Sequence, residues 1–297
     1  MAATADALLD GTTSGAADDV DAAGAPRQRG RVTFVLACGW MALVLVAAVG
    51  ARLLPLPDPN EIDPRNALLP PGTDHLLGTD GLGRDQLSRI VHGAQVSMIV
   101  SVTAVLVGAV IGGLLGMVAG YLRGRTEGVV LAISDVVLAF PGLVLLLVLL
   151  AYVGRSLVAI SLIIGLLSVP LYARVARANT MSVTERDYVR AAGVLGATRV
   201  RIVLREILPN IVLPLTAYAF VALGRVIVLE GSLAFLGLSV KPPDATWGQM
   251  IADSKRHLDE TLWPVIVPCS VMFLTVLSLS LIGDRLRGRI DVRGEAQ

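Results

Sequence analysis

This chain is poor in charge. Asp, Glu, Lys and Arg make up 16% of its 297 residues and hydrophobic residues 54%, and the mean hydropathy is +0.71. A soluble domain has too little interior to hide that much apolar surface, so the composition places the chain in a membrane. The formal net charge of +1 argues against nucleic acid as a partner, which would demand a basic face. Lysine is nearly absent. Lys241 follows Val240 and Lys255 follows Ser254, so no Gly-Lys-Ser/Thr phosphate loop can be drawn. The three histidines, His75, His92 and His257, are too scattered for a zinc site, and none shares the depth of a serine it could activate. The two cysteines, Cys38 and Cys269, fall inside apolar runs and are expected to pack as small apolar residues without a disulfide.

What is present in quantity is long apolar runs. About 20 such residues cross roughly 30 Å of hydrocarbon, and six runs suffice: 32–54, 94–121, 128–153, 156–178, 210–236 and 261–283. The expectation is an all-α membrane protein of six transmembrane helices with both termini on one side. With the termini inside, the inner segments hold sixteen of the 25 basic residues and the outer ones eight, with Arg225 inside the fifth span. That is the sense of the positive-inside rule, and it makes both termini cytoplasmic. Residues 1–30 are Ala, Gly, Asp and Thr with few large apolar side chains, which reads as a disordered cytoplasmic tail rather than a cleaved signal peptide. After the first helix at 31–54, residues 55–93 form an extracytoplasmic loop, 94–287 a five-helix core, and 288–297 a second cytoplasmic tail. In the loop, Leu82, Leu87, Ile90 and Val91 share a face, the pattern of a short amphipathic helix lying in the interface. Trp247 and Trp263 suit the headgroup level, with contact to an outer partner as the alternative.

The most distinctive stretch is polar and arginine-rich. At 184–208, between spans four and five, Ala191 and Ala192 give a small surface on a first helix, and Gly196 permits a sharp turn. Ile202, Val203, Leu204 and Ile207 build a second helix that Pro209 is expected to end. A short helix-turn-helix outside the bilayer suits docking better than chemistry, and the charge bias puts it in the cytoplasm.

Two features lie within the spans. Gly108, Gly112, Gly116 and Gly120 stand four apart on one helix face, which suits close helix packing either within this chain or against a second subunit. Asp135, Arg225 and Glu230 lie at membrane depth, where each would cost about 2.5–3.5 kcal/mol uncompensated. They read either as an internal ion pair between Arg225 and one of the acids or as polar groups along a translocation path. Pro141 and Pro170 are expected to kink their helices.

These motifs carry a resemblance. The run from Asp187 through Tyr188, Val189, Arg190, Ala191, Ala192, Leu195, Gly196, Ala197 and Arg199 to Ile207-Leu-Pro209 resembles the coupling motif of ABC-importer permeases. Upstream, His75-Leu-Leu-Gly78-Thr79-Asp80-Gly-Leu-Gly83-Arg84-Asp85-Gln-Leu-Ser88-Arg89 is similar to the signature before the second span of peptide-importer permeases. Ser134-Asp135 with Ala139-Phe140-Pro141-Gly142 follows in family order. So do Glu230-Gly-Ser-Leu-Ala-Phe235-Leu236-Gly237, Pro242-Pro243, Trp247-Gly248 and Gly283-Asp284-Arg285. The family is the oligopeptide, dipeptide and nickel ABC-importer permeases, and the match is to the shorter, C-type subunit. It covers about residues 30–293.

The resemblance implies a non-enzymatic permease subunit in the bacterial cytoplasmic (inner) membrane. Its implied partners are a homologous second permease, two cytoplasmic ATPases that bind ATP and Mg, and an extracytoplasmic substrate-binding protein. It implies no cofactor in this chain, and peptides are the expected cargo, with chelated nickel or another small solute as the alternative. One departure is visible: Arg190 stands where many ABC permeases have a glutamate, so a salt bridge resting on that glutamate is not carried over. A proton-coupled secondary transporter is the rival class, and the coupling stretch speaks against it.

Overall fold

The computed structural model describes residues 25–241 and 243–295. Residues 1–24 of the tail expected at 1–30, Pro242, and residues 296–297 of the tail expected at 288–297 lie outside the described residues. Among them the regular structure is helical, apart from an isolated β-bridge between Thr79 and Asp85. Five helices are long and apolar enough to cross a membrane, and a bent pair makes six if it counts as one span.

The first helix, α1 (Ala25–Gly50), begins inside what composition marks as tail. Pro26 in its first turn loses nothing by lacking an N–H, because the leading N–H groups of a helix have no partner in any case. Next comes a rod. It consists of α2 (Gln86–Val107), a π turn at Gly108–Gly112 and α3 (Gly113–Leu122). The Asp85 carboxylate caps α2 by accepting from Ser88 N–H at 2.8 Å. The separate interfacial helix expected around 82–92 is therefore absent: the face of Ile90 and Val91 is the buried start of the rod, and Leu82 stays in an exposed loop position.

The expected third span is broken. Helices α4 (Gly124–Ala139) and α5 (Gly142–Val153) meet at 86°. Phe140, placed before Pro141, is driven to extended geometry, φ −85° and ψ 141°, so the helix cannot run through. Pro170 has no such effect, and α6 (Leu157–Thr184) runs past it.

Two short helices follow, α7 (Asp187–Val194) and α8 (Arg199–Ile202). A π turn at Val203–Ile207 then leads into α9 (Leu208–Phe235). Pro209 thus does not end the second helix of the polar stretch. It sits in the first turn of α9, and the wider π turn before it accommodates its ring and missing N–H. The chain closes with α10 (Trp247–Ser254) and α11 (Trp263–Glu295), which carries helix into the expected C-terminal tail.

Small residues decide how the helices meet. A Cβ added at Gly116 would lie 2.2 Å from the Ala173 carbonyl oxygen, and one at Gly120 would lie 2.8 Å from that of Arg177. The glycine face of the rod therefore seats α6 of the same chain, backbone against backbone. Ile160, Ile164, Leu146, Leu150 and Leu233 fill one core beside it. Ala37, Met41, Ile227, Trp247 and Leu279 fill a second.

Candidate functional site

The α7–α8 knuckle is held by a few contacts and a well-formed turn. Val189 and Ile202 are buried and anchor it in a cluster with Met117 of the rod, Val183 of α6 and Ile211 of α9. Asp187 sits in the first turn of α7, where a negative charge meets the positive end of the helix dipole. The helix ends with Gly196 at φ +81°. Ala197 N–H bonds to the Ala192 carbonyl at 3.0 Å and Gly196 N–H to that of Gly193 at 3.1 Å, the paired bonds of a Schellman turn. Nothing lies within 4 Å of a Cβ built on Gly196, so backbone conformation alone calls for glycine there. Thr198 then caps α8. The outward face is apolar: Val194 is 90% exposed, Leu195 86% and Val200 67%. Arg190, Arg199, Arg201 and Arg205 are exposed around it. Contiguous exposed apolar side chains rimmed by charge mark an interaction surface. A recess between Ala192, Leu195, Ala197, Arg201 and Glu206 adds relief of about 260 Å³.

Ion pairs tie the broken span to the knuckle's neighbours. Asp135 of α4 accepts from Arg174 of α6 at 2.5 Å, Glu127 pairs with Arg177, and Arg123 donates to Glu185 at 2.8 Å. Arg123, at the α3–α4 joint, has φ +51°, a conformation that costs a non-glycine residue about 1–3 kcal/mol. Spacing shows that Arg174 and Arg177, three apart, share a helix face. Their partners, and the roles of Arg123, Glu127 and Glu185, were not visible in the chain pattern.

The expected pairing of Arg225 with an acid is not formed among the described residues. Asp135 is paired with Arg174, and the partners of Glu230 are hydroxyls rather than a guanidinium. The Glu230 carboxylate, 1% exposed, accepts from Ser239 Oγ and from Thr246 Oγ1, the latter at 2.8 Å. Thr246 also accepts from Gln249 N–H at 3.0 Å, capping α10. Glu230 thus fastens α9 to the loop and α10 by neutral donors, which is how a buried carboxylate avoids a naked charge. Arg225 instead lies over the Tyr218 ring, 5.9 Å from its centroid.

At this loop end the polar signature of residues 75–89 is structural. Asp80 holds Arg84 Nε at 2.6 Å and Arg89 Nε at 3.6 Å. Arg89 donates to the Pro59 carbonyl at 3.1 Å, and Ser88 Oγ to that of Pro57 at 2.6 Å. Trp247, expected at the headgroups, is fully buried and donates from Nε1 to the Ile90 carbonyl at 3.1 Å. Its apolar body is worth more inside the bundle than at an interface, provided its N–H finds a partner. Trp263 is 44% exposed.

Residues 112–293 match the family described as binding-protein-dependent transport system inner membrane component. The chain belongs to that family. It is 36% identical over 250 residues to the glutathione transport system permease protein GsiD of Escherichia coli O6:K15:H31, covering 84% of this chain and 82% of that protein. It is 35% identical over 249 residues to the probable D,D-dipeptide transport system permease protein DdpC of Escherichia coli K12, covering 84% of each. A putative peptide transport system permease protein of Brucella suis is 33% identical over 263 residues, covering 89% of this chain and 88% of its own length. The chain is accordingly an ABC importer permease subunit of the bacterial inner membrane.

Proposed function

We propose that this permease takes up peptides handed over by an extracytoplasmic binding protein, paired with a homologous permease and driven by two cytoplasmic ATPases. The observation that carries the reading is the knuckle. It leaves Val194, Leu195 and Val200 exposed, while α8 and its π turn run without a break into α9. A push on that surface has a rigid path into the bilayer. Asp187, Tyr188, Val189, Arg190, Ala191, Ala192, Leu195, Gly196, Ala197 and Arg199 form the element that seats in an ATPase cleft, and the knuckle faces the cytoplasm. Closure of the ATPases moves it as a body. Motion of α6 then reaches α4 through the Arg174–Asp135, Arg177–Glu127 and Glu185–Arg123 pairs, and the hinge at Phe140-Pro141 lets α5 respond differently from α4. ATP and Mg are bound by the ATPases, and this chain supplies the gate. Peptide cargo is supported by relatives whose names specify glutathione, a D,D-dipeptide and peptide.

The test uses the whole complex in proteoliposomes with labelled di- and oligopeptides. Gly196→Val, which forces a β-branched side chain into the left-handed turn, should leave membrane insertion intact and ATP hydrolysis running while uptake falls. Uptake equal to wild type would refute the coupling assignment.

A further inference from the structure

One polar cluster within the spans is used by neither the knuckle nor the loop end. Tyr172 of α6 is fully buried because the rod's glycines make room for it. A Cβ on Gly108 would lie 3.0 Å from its Cδ2, and one on Gly112 would lie 2.6 Å from its Cβ. Its ring meets that of Tyr218 on α9 edge to face, with centroids 4.9 Å apart. On the same helix the Arg225 guanidinium lies over the Tyr218 ring.

Two members of this cluster are chemically incomplete. The Tyr172 hydroxyl is buried with no hydrogen-bond partner among the described residues, although buried hydroxyls almost always have one. Arg225 is exposed on an apolar span and forms no ion pair among the described residues, although a cation at that depth needs an anion or a wet cavity. A guanidinium and an idle phenol in one cluster share one fitting ligand chemistry. A carboxylate accepts from both, and the guanidinium fork matches its two oxygens.

We propose that Arg225, Tyr218 and Tyr172 form a station that receives the carboxylate of the cargo as it passes through the bundle. The proposal rests on the peptide-importer reading, because every unmodified peptide brings a C-terminal carboxylate whatever its side chains. Tyr218 supports the guanidinium through its ring face, and Tyr172, enclosed in this conformation, donates its O–H to the carboxylate once α6 and α9 part during transport. The other source of a carboxylate is an acidic side chain of the second permease.

The experiment supplies proteoliposomes holding the complete importer with binding protein saturated either with L-alanyl-L-alanine or with its C-terminal amide. Saturation removes selection by the binding protein, so the rates compare what happens inside the spans. Wild type should move the acid roughly tenfold faster than the amide, the size of one charge-assisted hydrogen bond. Arg225→Gln should bring the ratio close to one, and Arg225→Lys should retain part of it. Tyr172→Phe should slow the acid several-fold and the amide clearly less, because only the carboxylate makes a charge-assisted bond, whereas a packing role would affect both alike. A wild-type ratio in Arg225→Gln overturns the station. So does an Arg225→Gln complex whose permease subunits separate while the intact remainder keeps the wild-type ratio, since the carboxylate then belongs to the partner. If wild type moves neither peptide, the peptide-importer reading itself fails, and the station with it.

Discussion

Gly83 at the loop end and Gly196 in the knuckle share nearly the same left-handed backbone, φ +76° and +81°, but not the same surroundings. A Cβ on Gly83 would fall 1.8 Å from the Asp63 carbonyl oxygen, while one on Gly196 meets nothing within 4 Å. The contrast extends to whole regions. Around Gly83, polar side chains are buried and engaged: Asp80, Asp85, Ser88 and Arg89 all lie below a tenth exposed. Around Gly196 the side chains are exposed and apolar, and the turn is held mainly by its own backbone bonds. At the loop end these four side chains find their partners within one chain. The knuckle is finished in shape but not in contacts, which suits the docking role proposed for it.

Substitutions can break or sharpen this contrast. The largest effect is expected for Gly83→Ala, which adds overlap with backbone to conformational strain. A loss of about 3 kcal/mol or more, read as a collapse of thermal stability in detergent, is the expected outcome. Next comes Glu230→Ala, which leaves the Ser239 and Thr246 hydroxyls without their acceptor in a buried site. It should cost about 2–3 kcal/mol, and limited proteolysis should show the 238–246 loop released. Gly196→Ala carries strain without overlap, about 1 kcal/mol, with a nearly unchanged melting temperature. A melting loss as large as that of Gly83→Ala would erase the distinction between the two ends. Smallest in stability is Asp135→Asn, because the Asp135–Arg174 pair is half exposed and such pairs contribute less than about 1 kcal/mol. Its uptake should nevertheless fall several-fold if the pair transmits motion. Unaltered transport with lowered thermal stability would assign the pair a structural role only.

Part of this molecule could be read from the chain and part could not, and proline shows where the line falls. Pro141 and Pro170 look alike in sequence, each inside an apolar run. Pro141 breaks the third span because Phe140 is free to extend, while α6 continues past Pro170 under the packing of its neighbours. Pro209 looked like a helix end, but the π turn at Val203–Ile207 absorbed it. Trp247 followed a sound preference for interfaces, overridden once the Ile90 carbonyl offered its N–H a buried partner. Arg225 and the two acids stand out in the chain as charges inside apolar runs, but the pairing expected of Arg225 did not form among the described residues. Which cation meets which anion depends on helix rotation and offset, and periodicity does not encode either.

The sequence alone determined the membrane class, the number of apolar runs, the sharp turn at Gly196 and the close-packing face of Gly108, Gly112, Gly116 and Gly120. These rest on hydropathy, backbone sterics and a four-residue repeat, which are local properties. Only the tertiary structure decided that the glycine face seats α6, that Asp135 pairs with Arg174, and that the Tyr172 hydroxyl has no partner among the described residues. Those outcomes follow from how helices far apart in the chain are placed against one another, and the energy that places them is shared among many contacts rather than written at any one residue.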